Sequence, residues 1–160
     1  MTGESCKLLK INDLRVVFSP GKQTAHHALR GVRLSVGPGE VVGLVGESGS
    51  GKTVTAYSIL GLLPANGIIA GGCIEWQEST DLSALSEPGM RRIRGREIAM
   101  IFQDPQASLN PVYPVGQQIE WTLKRYRRLR AKPARLEVLQ LFEAVQLREP
   151  ERCYRSYPHE

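Results

Sequence analysis

Several features that define other classes of protein are missing from this sequence. No apolar run approaches the length of about 20 residues that a helix needs to cross a bilayer, and the start, MTGESCKLLKIND, has no apolar signal-peptide core. Cysteine is scarce: Cys6, Cys73 and Cys153 lie far apart without the spacing of a metal site, which favours reduced thiols in a cytosolic protein. These absences predict a chain that is soluble, or peripheral on the cytosolic side of a membrane.

The composition that remains is that of an ordinary globular domain. The chain has 160 residues, of which 41% are hydrophobic and 23% charged, enough for one domain with a core. The formal net charge of +5 suits an anionic ligand or a membrane surface but is specific for neither. His26 and His27 have no third metal ligand nearby, so we interpret them as surface residues in a loop.

Apolar patterning predicts strands in the first part of the chain and helices in the second. Residues 7–18 are expected to form two short strands with a turn at Asn12-Asp13. Further strands are expected at 28–36, 41–45, 68–76 and 97–102. The runs at 41–45 and 97–102 are typical of buried parallel strands. Helices are expected at 53–63, 88–95, 115–130 and 134–147, and loops at 19–27 and 103–114.

The stretch GESGSGKT, residues 46–53, lies between a predicted strand and a predicted helix and matches the P-loop pattern in full. Its glycines let the backbone approach a ligand and turn successive N–H groups inward as an anion nest, to which the helix adds its positive end. Lys52 is long enough to reach the β- and γ-phosphates, and the Thr53 hydroxyl is a hard oxygen ligand suited to Mg²⁺. The bland alternative, a glycine-rich turn before a helix, is disfavoured by this context.

The P-loop alone does not choose among kinases, GTPases, helicases and transport ATPases, although the N-K-x-D stretch usual in GTPases is absent. Longer segments narrow the choice. ALRGVRLSVGPGEVVGLVGESGSGKTV, residues 28–54, resembles the N-terminal half of ABC-type ATPases, and GREIAMIFQDPQASLNPV, residues 95–112, resembles their Q-loop segment. MRRIRG, SLNP and the final RSYPHE resemble the oligopeptide, dipeptide and nickel importer subfamily. The resemblance covers essentially the whole chain in order.

The resemblance implies an α/β fold of the P-loop NTPase class, ABC ATPase type, present as a partial nucleotide-binding domain. An N-terminal antiparallel β subdomain is expected at 1–40, and a parallel-sheet core from the P-loop to the Q-loop at 41–103. The Q-loop and the beginning of the helical subdomain are expected at 104–160.

The resemblance also assigns roles to residues. Phe18 falls where the family has an aromatic ring stacked on adenine, the alternative being an ordinary strand-core residue. Gln103 matches the Q-loop glutamine, which contacts Mg²⁺ or the attacking water, the alternative being a polar residue that caps a strand. ATP and Mg²⁺ are the implied ligands, with Thr53 and Gln103 on the metal. The implied nucleotide-binding residues are Phe18, Gly46, Glu47, Ser48, Gly49, Ser50, Gly51, Lys52, Thr53 and Val54.

The implied function is that of an ATP-binding subunit on the inner face of the cell membrane, energising import of peptides, nickel or related solutes by hydrolysis in the full-length dimer. Its implied partners are permease subunits facing residues 104–130, a second ATP-binding subunit and, indirectly, a solute-binding protein. No nucleic-acid partner is expected. The basic run at 124–130 is either a patch for nucleic acid or lipid headgroups or a solvated helix face, and Tyr126 and Leu129 favour the second by continuing the apolar stripe.

The sequence departs from the family at its end. YPHE stands where the family places the residues just before its L-S-G-G-Q signature, and no Walker B aspartate, catalytic glutamate or switch histidine occurs in the 160 residues. We therefore expect ATP binding without hydrolysis by this chain alone. Because unpaired strand edges are a liability for aggregation, we also expect the isolated chain to fold poorly, with low thermal stability. Two alternatives stay open: a truncated, non-catalytic ATP-binding fragment, and a non-transport ABC ATPase that acts on nucleic acid.

Overall fold

The computed structural model describes residues 7–19 and 25–160, in two compact units, of which the first ends at Ile98 and the second is Ala99–Glu160. The predicted loop at 19–27 falls mostly outside the described residues. Nine strands and helices are described, with single 3₁₀ turns at Leu82–Ala84 and Gln106–Ser108. They are β1 Leu9–Phe18, β2 His26–Val36, α1 Lys52–Ile59, β3 Gly67–Trp76, β4 Thr80–Asp81, α2 Glu87–Ile93, α3 Val115–Arg127, α4 Ala131–Ala144 and α5 Pro150–Arg155.

The first unit is built on an antiparallel sheet with the strand order β2-β1-β3-β4. The prediction of two strands in 7–18 is wrong, because β1 runs unbroken through Asn12-Asp13. Asp13 has a φ of 48°, and the pairing of β1 shifts register across it with both neighbouring strands, β2 and β3. Asn12 and Asp13 therefore form a bulge rather than a hairpin turn. Gly31 on β2 makes room for this bulge, since a Cβ there would lie 2.8 Å from Asp13 Oδ1.

The core of this unit lies between the sheet and α2. Its buried members are Ile11, Leu14, Val16, Leu29, Ile74, Trp76, Leu82, Met90 and Ile93. Trp76 satisfies its indole by donating from Nε1 to Glu97 Oε2 at 2.9 Å. The strands predicted at 28–36 and 68–76 and the helix predicted at 88–95 are confirmed, with ends displaced by a residue or two. His26 and His27 are exposed, as predicted, but they begin β2 instead of lying in a loop.

The second unit packs α3, α4 and α5 around Leu123, Ala134, Val138 and Phe142. Both long helices were predicted, although α4 begins at Ala131, so that Pro133 lies within its first turn. The short helix α5 was not predicted, since six residues give too little apolar periodicity to detect. No helix in the described parts of the chain is both long and apolar enough to cross a membrane.

The two buried parallel strands predicted at 41–45 and 97–102 are wrong. Neither segment is assigned as a strand, apart from a single bridge between Ile98 and Arg94. Val41 is 96% exposed, Val45 94% and Ile101 89%. A strand exists only through hydrogen bonds to a neighbour, and no described strand pairs with either segment. Their apolar composition was correctly recognised, but the neighbour that such a composition requires is not among the described residues.

Candidate nucleotide-binding site

The site begins with a tight loop that carries the chain from the extended segment at 41–45 into α1. The loop turns on a hydrogen bond from Ser50 N to Glu47 O at 3.2 Å, with Gly49 at a φ of 82°. Gly51, the residue before α1, has a φ of 93°, and a Cβ there would lie 2.5 Å from Leu29 Cδ2 on β2. The loop therefore lies so close to the sheet that no larger residue fits at position 51 without moving the core.

Lys52 folds back over this loop. Its Nζ donates to the carbonyl oxygens of Gly46 and Glu47, at 2.7 Å each, and lies 3.2 Å from Ser50 Oγ. Its ammonium group is thus held where the loop closes, next to the first residues of α1. The fixed positive charge of Lys52 beside a helix N-terminus without a side-chain cap is an arrangement that suits a phosphate group.

The inner face of helix α1 is buried. Thr55 and Ser58 are buried, and their hydroxyls donate to Gly51 O at 3.0 Å and Val54 O at 2.7 Å. Val54 is half-buried against the core, whereas Thr53 is exposed on the loop side. The helix predicted at 53–63 is confirmed but is shorter, because the turn at Leu60-Gly61 ends it.

The structure brings the predicted residues Gly46, Glu47, Ser48, Gly49, Ser50, Gly51, Lys52, Thr53 and Val54 together as one loop and helix start. Phe18 belongs to the same unit and ends β1, paired with His26 and Gly67. Its ring is half-buried and lies against Gly67, where a Cβ would come within 2.5 Å of Phe18 Cε1. This packing is what the strand-core alternative for Phe18 predicts. Gln103 lies at an exposed bend of the second unit.

Sequence reasoning missed one residue near α1. Arg94, which follows α2, donates from Nε to Leu60 O at 2.6 Å and from Nη2 to Gly61 O at 2.9 Å. Glu87 binds the same guanidinium with both carboxylate oxygens, at 2.9 and 3.0 Å. Hydrogen bonds from Arg94 and Arg91 hold the pKa of Glu87 below its ordinary value. The arginine-rich MRRIRG stretch carries a family resemblance, but nothing in it indicates which arginine turns inward.

The second unit presents the segment expected to face a membrane partner. Gln118 on α3 fastens the loop before it: Asn110 N donates to Gln118 Oε1 at 2.9 Å, while Gln118 Nε2 donates to Asn110 O and Tyr113 O at 2.9 and 2.8 Å. Tyr113 then packs edge-on against Trp121, with ring centroids 4.8 Å apart. A groove of about 520 Å³ runs beside Trp121, between Leu109 and Tyr126.

The basic run at 124–130 is partly neutralised by its own unit. Lys124 pairs with Glu120 at 2.7 Å, and Arg127 pairs with Glu137 on α4. Arg125 lies over the ring of Tyr126, with its Cζ 5.9 Å from the centroid. These contacts support the interpretation as a solvated helix face and leave a weaker field than the sequence suggests.

A buried polar cluster ties α3 to α5. Glu120 is 9% exposed, and although burial acts in the opposite direction, hydrogen bonds from Lys124 and Tyr154 hold its pKa below the ordinary value. Burial and the hydrogen bond to Glu120 raise the pKa of Tyr154. The Arg135 guanidinium lies 5.0 Å from the centre of the Tyr154 ring.

Comparison with known proteins agrees with the family features of this site. The profile of the ABC transporter family matches residues 29–156. The chain is 43% identical over 153 residues to the probable peptide ABC transporter ATP-binding protein y4tR of Sinorhizobium fredii, covering 96% of this chain and 45% of that protein. It is 41% identical over 155 residues to the dipeptide transport ATP-binding protein DppD of Bacillus subtilis, covering 96% and 46% respectively. The chain thus spans about half the length of these relatives.

Solved structures give the same fold. The ATP-binding cassette MJ0796, described as a dimeric bacterial ABC transporter cassette, aligns with a TM-score of 0.78 at 24% identity, over 94% of this chain and 62% of that one. A second structure of this cassette, dimeric and bound to ADP and Pi, aligns with a TM-score of 0.72. The predicted fold class is therefore confirmed, although the two parallel strands predicted within it are not formed. From its P-loop, its fold and the extent of the family match, the chain belongs to the ABC transporter family.

Proposed function

We propose that residues 46–54 bind the phosphates of ATP together with Mg²⁺. The observation that carries this proposal is the position of Lys52, whose ammonium group donates to Gly46 O and Glu47 O across the loop. Incoming phosphate oxygens carry more negative charge than these carbonyls, so they would bind the same ammonium more strongly. The close approach of Gly51 to Leu29 fixes the end of the loop against β2.

The remaining roles that we propose are those that the family resemblance assigns. Thr53 is exposed at the start of α1, and its hydroxyl would bind the metal. Gln103 would contribute a second oxygen to Mg²⁺ or orient the attacking water. Phe18 would offer a ring edge or face to adenine from the end of β1, although its contact with Gly67 means that the ring serves the core as well. Bound Mg²⁺ would neutralise the phosphates and polarise the terminal one for attack.

The biological role we propose is that of an ATP-binding subunit for import of peptides, nickel or related solutes. The support is the resemblance to proteins named for peptide and dipeptide transport, each about twice as long as this chain. We place hydrolysis in a full-length dimer on the inner face of the membrane, since the chain spans only about half the length of the relatives that it matches. A non-transport role on nucleic acid has less support, since Lys124 and Arg127 are already paired within the chain.

We further propose that the permease subunits contact the loop fastened by Gln118 and the adjoining face of α3. Tyr113 and Trp121 expose apolar ring surface there, and Val112 beside them is largely exposed. Aromatic residues presented on a rigid support are typical of surfaces that bind protein partners.

ATP binding is tested with the 160-residue chain and a fluorescent ATP analogue, with and without Mg²⁺. Lys52→Ala is expected to weaken binding at least about tenfold, which corresponds to about 1.4 kcal/mol. Lys132→Ala is the matched control, because it removes an exposed lysine of α4 and should leave binding unchanged. Equal affinity in all three proteins would refute the proposed role of the loop.

Turnover is measured separately. The 160-residue chain is expected to bind ATP without releasing phosphate, whereas the full-length protein assembled with its permease is expected to hydrolyse ATP. Steady phosphate release from the short chain, abolished by Lys52→Ala, would show that the assignment of hydrolysis to the dimer is wrong.

A further inference from the structure

Helix α1 is followed by Gly61, which has a φ of 59°, and its last turn is closed by hydrogen bonds from Gly61 N to Ser58 O and from Leu62 N to Tyr57 O. Its last turn contains no basic side chain that would complement the negative end of the helix dipole. Arg94 supplies that charge from a distant part of the sequence. Its Nε donates to Leu60 O at 2.6 Å, across 34 positions, and its Nη2 donates to Gly61 O at 2.9 Å, across 33 positions. The guanidinium thus binds the two carbonyls that directly follow the last residue of α1.

The contact is tightly constrained on both sides. Gly61 has a φ of 59°, and a Cβ added there would lie 3.1 Å from Arg94 Nη2 and 3.6 Å from Met90 Cγ. On the side of α2, Arg94 Nη1 donates to both carboxylate oxygens of Glu87, which fixes the orientation of the guanidinium. The Arg94 side chain is 22% exposed, against 67% for Arg91, which binds Glu87 alone.

We infer that Arg94 is a positioning residue of the nucleotide site, which holds the far end of α1 so that Lys52 and the loop point at the phosphates. Helix α1 has only eight residues and is about 12 Å long. If its C-terminal end at Gly61 is displaced, the short helix tilts as one body and displaces Lys52 at its other end. The nucleotide site is then fixed at two points, Gly51 against Leu29 and Gly61 against Arg94. This inference rests on the proposed ATP binding.

The test compares Arg94→Gln with Arg91→Gln in the 160-residue chain. Both variants remove one guanidinium from Glu87, but only Arg94→Gln also frees the carbonyls of Leu60 and Gly61. Arg94→Gln is expected to weaken binding of the ATP analogue about tenfold, and Arg91→Gln by no more than about twofold. Arg94→Lys, which keeps the charge but not the paired donors, should give an intermediate affinity.

Hydrogen exchange separates positioning from general loss of stability. In Arg94→Gln the amides of α1 should exchange faster, while those of β1 and β3 keep the wild-type rates. Wild-type ATP affinity in Arg94→Gln would overturn the inference and leave the proposed function intact. The inference would also be overturned if Arg94→Gln lost affinity but the amides of β1 and β3 lost as much protection from exchange as those of α1, and Arg94→Lys restored none of the affinity. Failure of the wild-type chain to bind the analogue would overturn the proposed function itself, and this inference with it.

Discussion

Strand β3 and the segment at 41–45 are both apolar stretches, yet they end in opposite environments. In β3, Ile74 has none of its surface exposed, because the strand pairs with β1 on one side and packs under α2 on the other. In the second segment Val45 is 94% exposed, although Val and Ile have nearly the same preference for strands. Intrinsic preference is therefore not what separates them. A buried strand needs both a hydrogen-bonded neighbour and a packed face.

The largest test of this difference removes one side chain from each stretch. Ile74→Ala is expected to lower the free energy of unfolding by about 2–5 kcal/mol, since it leaves a cavity in the core. Val45→Ala is expected to change it by less than about 0.5 kcal/mol, since the side chain contacts little. Urea denaturation followed by circular dichroism measures both. Equal losses would mean that the segment at 41–45 is packed in solution.

The same contrast explains what the sequence could predict. The strands at 28–36 and 68–76 and the two long helices α3 and α4 were predicted because their periodicity coincides with neighbours that are present. The strands at 41–45 and 97–102 were predicted on composition alone, and composition does not reveal whether a neighbour exists. The bulge at Asp13 was mistaken for a turn for a similar reason, because pairing with both β2 and β3 overrides the preference of Asn and Asp for turns.

The candidate site divides in the same way. The loop at 46–53 could be predicted because its pattern lies within eight consecutive positions and the contacts of Lys52 are made within them. Arg94 could not, since its contact with α1 joins residues 34 positions apart and depends on how α2 packs. Gln118 and the Glu120–Tyr154 pair were missed for that reason too: a glutamine or glutamate on an amphipathic helix gives no sign that it will be held by a neighbouring element.

The next test compares two glycines, one in the exposed segment at 41–45 and one where the loop after it meets the sheet. Gly51→Ala is expected to destabilise the chain by about 1–3 kcal/mol, because it combines a positive φ with a Cβ only 2.5 Å from Leu29 Cδ2. The control is Gly43→Ala, whose added Cβ has no neighbour within 4 Å and which should change stability little. Thermal denaturation gives the comparison. A neutral Gly51→Ala would show that the loop lies away from the sheet.

A charged side chain, like a strand, is buried where it has hydrogen-bonding partners. Glu120 is buried with Lys124 and Tyr154 as partners, and its folded-state pKa lies below the ordinary value of 4.5. A depressed carboxyl pKa stabilises the fold above pH 4.5, and that contribution is lost as pH falls through the folded-state value. Glu120→Gln should therefore cost about 1 kcal/mol at pH 7 and progressively less below pH 4. The measurement is urea denaturation between pH 3 and pH 7.

Tyr154 allows the same measurement to be made at alkaline pH. Its pKa is raised, so the neutral hydroxyl stabilises the fold below pH 10, and the contribution is lost as pH rises through the folded-state value. Tyr154→Phe should remove this alkaline dependence and part of the acid dependence, because Glu120 loses a donor. An acid dependence unchanged in both variants would mean that another carboxyl group governs it.

The smallest effect belongs to an ion pair whose arginine is largely exposed. Arg127 and Glu137 join α3 to α4, yet the arginine side chain is 63% exposed. Water screens such a pair, and holding two long side chains together costs entropy, so Arg127→Gln should lower stability by only about 0.2–0.5 kcal/mol. The effect should vanish in 1 M NaCl, whereas that of Glu120→Gln should largely persist there. A loss above about 1 kcal/mol that survives salt would show that a partner alone can stabilise this fold, contrary to the requirement inferred from β3 that pairing and burial act together.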